Sequence, residues 1–461
     1  MEKKRENWGS KTGFILAAAG SAIGLGNIWR FPYVVGENGG AAFIILYLLC
    51  IAIIGLPVLL GEVLIGRTAQ RNPVGSFRAL TKLKFWPYVG GMGIAAGFII
   101  LSYYAVVAGW SFGYIFEAIA GSFFEFNTPD AAANHFNSLT GNVYWIVGML
   151  AVFMSLTMLI VYFGVQKGIE RGSKIMMPAL FILLIIVMIR GITMEGGSEG
   201  LSFLFEPDWS KITPLTFLEA LGQGFFTLSL GMGAMMTYGS YMSVKDSVPS
   251  SSLQIVFLDT LIALIAGVAI FTAVFSTGMN PSEGPGLIFH TLPVVFTKMT
   301  SGFLFSIIFF ILLSIAALTS TISLMEVITA YYVDERKWKR HKVVVVFGSL
   351  TFLFGIPSAL SFNLLSNFTI FGFTIFDLLI YITANIMLPL GGLLIAIFIG
   401  YVWGLDKVVV ELKKGAEKLF ERSHWRVNVW KVLIKYFAPV LIFIVLLHST
   451  GILRKILNIF N

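Results

Sequence analysis

The sequence predicts an all-α polytopic membrane protein, built from two repeats of five spans and one further span. Of its 461 residues, 57% are hydrophobic and only 12% are charged, an apolar fraction too high for a soluble domain. The chain divides into eleven apolar runs, most of them long enough to cross a bilayer as a helix. Glycine clusters interrupt the first and sixth runs, and they predict broken helices at corresponding positions of an inverted repeat.

The eleven apolar runs set the predicted organisation of the chain. We predict spans at residues 13–37, 42–68, 87–120, 143–163, 168–191, 214–243, 254–278, 301–333, 343–358, 368–403 and 434–453. The predicted segments are a cytoplasmic N-terminus (1–12), a first repeat (13–191), an extracellular loop (192–213), a second repeat (214–404), a cytoplasmic amphipathic segment (405–432) and a last span with the C-terminus (433–461). Because five is odd, the second repeat enters the membrane from the opposite side.

Loop charges orient these spans. Lys and Arg concentrate in alternate loops, as in the cluster of residues 336–342, which predicts a cytoplasmic N-terminus and an extracellular C-terminus in the plasma membrane. This asymmetry accounts for the net charge of +8 without a nucleic-acid partner. Cys50 is the single cysteine, so no disulfide can form within the chain. The five histidines show no metal-ligand spacing, and the chain is not expected to be an enzyme.

The first run begins as an ordinary apolar helix and then departs from that pattern. Gly20, Gly24 and Gly26 follow within seven positions, and Asn27 and Arg30 lie at hydrocarbon depth. Glycines in a helix interior favour local unwinding. Unwound backbone at this depth is tolerated only where it is buried in protein or lines a cavity. The run therefore predicts a helix that presents its backbone to something polar that crosses the membrane.

The second repeat carries a matching break and two polar features. Gly231 and Gly233 interrupt the sixth run. Asp259 stands in an apolar run, where it is either a protonated structural carboxyl or, as we favour, a group for cation coordination or proton coupling. The eighth run contains a cluster of hydroxyls at residues 319–323. This cluster either satisfies its own helix carbonyls or supplies oxygen ligands to a monovalent cation.

Two further features of the runs carry predictions. Glu62 stands beside Arg67 near the inner end of the second run, and we expect a structural ion pair between them. Gly168 and Pro178 bracket the start of the fifth run, which is either an ordinary turn or a helix end that can unwind and admit water. The loop 279–298 is partly apolar and predicts a short helical lid.

Several motifs resemble those of one transporter family. The stretch GSAIGLGNIWRFPY followed by ENGGAAF is similar to the first-span signature of the neurotransmitter:sodium symporter family, particularly its prokaryotic eleven-span amino-acid transporters. GQGFFTLSLGMG, LTSTISLME and PLGGLL match in order at later spans. The resemblance implies a leucine-transporter-type 5+5 inverted repeat with discontinuous spans 1 and 6. It also implies sodium-coupled transport of an amino acid by alternating access.

The resemblance implies two sodium ions as coupling ions. The first would be bound by Ala22, Asn27, Thr227 and Asp259, with the substrate carboxylate as a further ligand. The second would be bound by Gly20, Ile23, Ala316, Thr319 and Ser320.

The resemblance also implies the substrate site. Amides at Leu25 and Gly26 and the Tyr104 hydroxyl would bind the substrate carboxylate, as expected at a helix N-terminus. The complete set of substrate residues would be Ala22, Gly24, Leu25, Gly26, Ile100, Tyr104, Phe226, Thr227, Ser229, Met232, Ser320, Thr321 and Leu324. The pocket bears no charged side chain, and Met232 is adaptable, so we expect a neutral amino acid with an aromatic or bulky hydrophobic side chain.

Two departures from the family pattern concern anions and the outer gate. Tyr47 and Gln223 match the chloride site of chloride-dependent relatives, but Ala263 replaces its serine. Asp259 replaces an amide, and we expect its charge to make chloride unnecessary. In relatives the arginine matching Arg30 pairs with an acid of span ten. Here Ile380 occupies that place, with Asp377 three residues away.

The resemblance further implies a cytoplasmic gate. Arg5 and Asp334 match the gate pair, with Trp8 and Tyr241 beside them. Gly168 and Pro178 match a motif through which span five is thought to unwind. The partners expected are an amino acid and the lipid bilayer. The alternative is a non-transporting amino-acid sensor or an ion channel on the same scaffold, although the polar residues cluster at one depth rather than lining a continuous pore.

Overall fold

The computed structural model describes residues 6–125, 128–279, 287–421 and 424–453. These ranges are almost entirely helical. In chain order the helices are α1 (Lys11–Ala22), α2 (Gly26–Glu37), α3 (Ala41–Ala69), α4 (Pro73–Leu80), α5 (Trp86–Ala120), α6 (Pro129–Gly141), α7 (Val143–Tyr162), α8 (Val165–Ile192), α9 (Gly197–Phe205), α10 (Pro214–Thr227), α11 (Ala234–Gly239), α12 (Val248–Ser276), α13 (Thr291–Lys298), α14 (Gly302–Arg336), α15 (Arg340–Leu360), α16 (Ile375–Lys413), α17 (Glu417–Glu421) and α18 (Trp425–Ser449).

The predicted fold class is confirmed, and the glycine-rich runs are broken where expected. Helices α1 and α2 meet at a bend of 50° across residues 23–25. Helices α10 and α11 are separated by residues 228–233, where Gly231 and Gly233 adopt φ of 83° and 76°. Such left-handed backbone favours glycine. A side chain at Gly231 would also collide with the Leu388 carbonyl of α16. The break in the sixth run therefore needs glycine for both conformation and space.

The broken helices lie inside the bundle. Most residues from Gly13 to Ile28 are buried, and α1 packs against α8, α12 and α14. Helix α11 packs against α3, and the long helices α5 and α14 lie side by side. Unwound backbone is thus enclosed by protein rather than exposed to lipid, which is the condition for a break at membrane depth.

The described helices leave the predicted number of spans open. Nine of them are long and apolar enough to cross a membrane, and the bent pair α1–α2 would make a tenth. The predicted sixth span corresponds to α10 and α11, each of which is too short to cross alone. Several helices begin earlier than predicted, most of all α12 and α18. The predicted lid contains α13, while residues 280–286 lie outside the described ranges.

The expected Glu62–Arg67 ion pair is wrong. The two residues are five positions apart on α3, which places their side chains about 140° apart around the helix. Arg67, only 1% exposed, donates from Nη1 to the carbonyl oxygens of Asp246 (2.8 Å) and Lys414 (3.0 Å). Its Nη2 donates to the Glu411 carbonyl. Arg67 therefore links the end of α16 to the loop after α11. Gly404 within α16 has φ of 89°.

Candidate functional site

The break between α1 and α2 exposes backbone groups to side chains of neighbouring helices. The Leu25 amide donates to the Tyr104 hydroxyl of α5 at 2.9 Å, and the Gly24 amide donates to Asn27 Oδ1 at 3.3 Å. A side chain at Gly24 would collide with the hydroxyls of Ser320 and Tyr104. Only glycine lets α5 and α14 approach the break this closely.

A buried polar cluster adjoins this break. The Asn27 side-chain amide donates to Asp259 Oδ1 (2.8 Å) and to the Asp259 carbonyl (3.1 Å). The Thr227 hydroxyl lies 3.0 Å from Asn27 Oδ1 and 3.2 Å from Asp259 Oδ1. All three side chains are almost wholly buried. Three residues predicted to bind the first sodium ion, from three different helices, therefore lie in contact.

The cluster contains oxygen atoms that lack donors. Among the described residues, Asp259 Oδ2 and Gln223 Oε1 are buried with no hydrogen-bond partner, and the Tyr47 hydroxyl lies beside the Asp259 carboxylate without a well-aligned hydrogen bond. Burying a polar atom without a partner is unfavourable. A carboxylate oxygen without a donor, beside hydroxyl and amide oxygens, suits a hard cation such as Na⁺. These oxygen atoms therefore suit the predicted sodium ion.

The residues predicted to bind the second sodium ion also lie together. The Thr319 hydroxyl lies 2.8 Å from the Ala316 carbonyl and 3.3 Å from the Ile23 carbonyl at the end of α1. Gly20 faces Thr319 so closely that an added Cβ would lie 3.2 Å from Thr319 Cβ. The Ser320 hydroxyl reaches the Ala316 carbonyl at 3.5 Å. The five predicted residues therefore meet where α14 crosses the break, although the same bonds also satisfy the hydroxyls locally.

A cavity of about 30 Å³ lies between the two clusters. Ten of the predicted substrate residues line it: Ala22, Gly24, Gly26, Ile100, Tyr104, Phe226, Ser229, Met232, Ser320 and Leu324. None of its described lining residues is charged. Three residues outside the predicted substrate set also line it: Ser21, Ser323 and Leu388.

The remaining three predicted substrate residues lie elsewhere. Leu25 lines a separate outer cavity, and Thr227 belongs to the Asp259 cluster. The Thr321 hydroxyl bonds to the Thr157 hydroxyl of α7 at 2.8 Å, so it is directed away from the cavity. The expectation that Thr321 faces the substrate side chain therefore fits this arrangement poorly. Adjacent helix positions are about 100° apart, so the neighbouring Ser320 can face the cavity while Thr321 does not.

Ser21 was not predicted, although it links α1 to α14 and to the second break. Its carbonyl accepts from the hydroxyls of Ser229 (2.9 Å) and Ser320 (3.3 Å), and its own hydroxyl donates to Ser323 Oγ (2.7 Å). Its role was indicated in the sequence by a serine in the last turn before the first break, together with the hydroxyl-rich run at residues 319–323. Such a residue holds the inner half of the first span to both α14 and the second break.

Glu62 holds the second break. Its Oε1 accepts from the Gly231 amide at 2.7 Å, and the residue is fully buried. The first break has a similar brace, because Gln223 Nε2 donates to the Gly26 carbonyl at 2.9 Å. Both contacts satisfy backbone groups that a continuous helix would pair internally.

The predicted outer gate residues line a cavity of about 430 Å³. Arg30 and Asp377 both border it, as does Ile380, but no described carboxylate lies within ion-pair distance of Arg30. The Arg30 guanidinium lies over the Phe226 ring, 4.9 Å from its centre, and Asp377 accepts from Thr374 Oγ1 at 2.7 Å. His290 also lines this cavity, and burial lowers its pKa, which favours the neutral ring. The aromatic wall comprises Trp29, Tyr33, Tyr103, Tyr104, Trp110, Phe136, Phe226, Phe289, Phe362 and Phe376.

The predicted inner gate is part of a larger network. Trp8 donates from Nε1 to the Tyr238 carbonyl (2.9 Å) and from its amide to the Tyr241 carbonyl (3.1 Å). The Tyr241 hydroxyl donates to Glu326 at 2.6 Å, and Arg340 binds Glu326 through both terminal nitrogens at 2.7 Å. Glu326 and Arg340 were not predicted. Glu326 ends the LTSTISLME motif, and an acid within an apolar helix was the missed signal.

The other inner residues are placed as follows. Arg5 lies outside the described residues. Asp334 accepts from the Asn72 amide at 2.9 Å. Gly168 lies in the first turns of α8 against the Ile160 carbonyl, and Pro178 lies inside the same helix, which is continuous here. Whether this helix end unwinds stays a prediction.

This fold and site define the class of an integral membrane transporter with two broken helices around a central pocket, and comparison with known proteins identifies the family. The profile of the Sodium:neurotransmitter symporter family matches residues 5–138 and 133–457, and the chain belongs to this family. It is therefore a multi-pass, sodium-dependent transporter rather than an enzyme, as predicted.

Individual relatives span the whole chain. The uncharacterized sodium-dependent transporter YhdH of Bacillus subtilis is 42% identical over 98% of this chain and 99% of its own length. An uncharacterized sodium-dependent transporter of Haemophilus influenzae is 38% identical over 97% of this chain and 98% of its own length. The crystal structure of MhsT in complex with L-phenylalanine superposes with a TM-score of 0.88 at 46% identity, covering 96% of this chain and 100% of that one.

We predict that Glu62→Ala lowers the melting temperature of the detergent-solubilised protein. The substitution leaves the buried Gly231 amide without its acceptor, at a cost of about 1–3 kcal/mol. Glu62→Gln keeps an oxygen acceptor and should cause a smaller loss. Thermal unfolding followed by tryptophan fluorescence measures both. Equal melting temperatures for Glu62→Ala and the unsubstituted protein would contradict this role.

Proposed function

We propose that this protein is a sodium-coupled symporter that imports a neutral amino acid with an aromatic or bulky hydrophobic side chain by alternating access. The observation that carries the proposal is the uncharged cavity between two oxygen-rich clusters, each of which uses groups of the same broken helix. We further propose two sodium ions per substrate, a cytoplasmic N-terminus, an extracellular C-terminus and repeats at 13–191 and 214–404.

The proposed binding mode divides the first break between ions and substrate. Asn27, Thr227 and Asp259, with the Ala22 carbonyl, would bind one sodium ion, and the carbonyls of Gly20 and Ile23 with the α14 hydroxyls would bind the other. The substrate carboxylate would accept from the Leu25 and Gly26 amides and from Tyr104, whose hydroxyl already contacts the Leu25 amide. The same carboxylate would complete the first ion site. Each ligand would then raise the affinity for the other, which is a direct form of coupling.

The cavity walls support a hydrophobic substrate side chain. Ile100, Phe226, Met232 and Leu324 contribute apolar side chains to the cavity lining. A similar protein, MhsT, has been crystallised with L-phenylalanine. At about 30 Å³ the cavity is smaller than such a side chain, so Phe226 and Met232 would have to move aside. Methionine, which is unbranched and flexible, suits this adjustment.

Competition binding tests the substrate class. We expect tyrosine, tryptophan and leucine to displace labelled phenylalanine at concentrations at least about tenfold lower than glycine does, because burying a large side chain contributes about 1.5–3 kcal/mol. The measurement uses purified protein in sodium-containing buffer, with potassium buffer as the control. Equally weak displacement by all four amino acids would contradict a hydrophobic side-chain pocket.

The charge of Asp259 should make chloride dispensable. We expect the same uptake when chloride is replaced by gluconate. We also expect a sodium affinity at least about tenfold weaker in Asp259→Asn, because this substitution removes the fixed negative charge from the buried cluster. Asp208→Asn, which changes an exposed acid outside the spans, is the matched control. Collapse of uptake in gluconate would contradict the proposal.

The second ion site can be tested separately. Thr319→Ala combined with Ser320→Ala should weaken sodium-dependent binding at least about tenfold, since the Thr319 hydroxyl adjoins the Ile23 and Ala316 carbonyls and the Ser320 hydroxyl adjoins the Ala316 carbonyl. Thr329→Ala is the control, because this buried threonine of α14 bonds, within the described ranges, only to the Met325 carbonyl of its own helix at 2.8 Å. Sodium titration of substrate binding provides the readout. An unchanged sodium affinity in the double variant would refute the second site.

A further inference from the structure

The N-terminal segment, residues 6–10, is bound to the start of α8 by a buried carboxylate. Glu170 of α8 accepts from the Gly9 amide at 2.6 Å through Oε2 and from the Ser10 hydroxyl at 2.8 Å through Oε1. Lys174, one turn along α8, donates to Oε1 at 2.6 Å. The Glu170 side chain is 4% exposed, and an added Cβ at Gly13 would overlap its carboxyl group. The backbone of the segment thus packs directly on this carboxylate.

A second carboxylate makes the converse contact. Glu6 of the N-terminal segment accepts from the Val165 amide at 2.7 Å. Val165 is the first residue of α8, and Gly164 before it has φ of 88°. The first amides of a helix have no partner within the helix, and an anionic acceptor there is favourable. Glu6 therefore caps α8 from a distant part of the chain.

Neighbouring contacts hold Glu6 and the segment in register. Gln166 donates to the Asn7 carbonyl at 2.8 Å, and Arg340 lies 3.4 Å from Glu6 Oε2. Arg340 also binds Glu326 of the inner gate network. A Cβ at Gly164 would lie 2.9 Å from Glu6 Oε1, so the absence of a side chain at position 164 lets the carboxylate reach the start of α8.

We propose that Glu6 and Glu170 form a reciprocal latch, which makes release of the N-terminal segment and unwinding of the start of α8 a single event. If the segment leaves, the Val165 amide loses its acceptor and the first turn of α8 loses its cap. If that turn unwinds, Gly9 and Ser10 lose Glu170. Both residues are positioning residues and touch neither ion nor substrate. The inference rests on the proposed function in one respect, namely that opening to the cytoplasm uses this helix end.

Hydrogen exchange on the full-length protein in lipid nanodiscs tests the latch through its cross-effects. Glu6→Ala should raise exchange at least tenfold in peptides containing Gly9 and Ser10, which Glu6 does not contact. Glu170→Ala should do the same at Val165 and Gln166. The double variant should exchange no faster than either single variant, because coupled contacts are not additive.

Two further variants keep the result interpretable. Glu335→Ala removes another acid of the cytoplasmic face, which binds Arg78 and Asn72, and should leave both segments unchanged. Glu170→Gln serves as a second variant in case Glu170→Ala destabilises the fold. It retains the side-chain shape and one acceptor oxygen, so exchange at Val165 and Gln166 should rise by an intermediate amount. Rises confined to the directly contacted segment, or a double variant whose effect is the product of the two, would overturn the latch. Absence of transport by the unsubstituted protein would instead overturn the proposed function, and the exchange measurement would still be valid because it requires no transport.

Discussion

Backbone groups released by two helix breaks must find hydrogen-bond partners inside the protein, because the hydrocarbon core offers no water. Four contacts meet this requirement. The Leu25 amide is bound by Tyr104, the Gly26 carbonyl by Gln223, the Ser21 carbonyl by Ser229, and the Gly231 amide by Glu62. The partners come from α3, α5, α10 and the second break itself. The two breaks are therefore held by the surrounding helices and, through Ser229, by each other.

The same requirement explains why the pocket can bind polar ligands. Backbone amides at the start of α2 and carbonyls at the end of α1 face opposite kinds of charge, so one break can serve an anionic carboxylate and a cation within a few residues. Asp259 and the α14 hydroxyls add oxygen atoms on either side. Apolar side chains complete the lining of the cavity, where a charged substrate side chain would be without a partner.

Residue patterns predicted the parts of this site that depend on composition and order along the chain. Glycines within apolar runs indicated both breaks, and Asn27, Asp259 and Thr319 stood out because polar groups are rare in such runs. The direction of a side chain around its helix was harder to predict. Thr321 faces α7, and Glu62 faces the second break instead of Arg67, because each orientation depends on how distant helices pack. The Glu326–Arg340 pair was missed for the same reason, since it joins α14 and α15 across the loop between them.

Sodium-coupled symport is tested most directly by uptake of phenylalanine into proteoliposomes under an inward sodium gradient. Symport predicts accumulation above the external concentration, which disappears when a sodium ionophore or an equimolar potassium buffer removes the gradient. Equilibration without accumulation would indicate a passive pathway, and binding without uptake would indicate a sensor. Either result would contradict sodium-coupled symport.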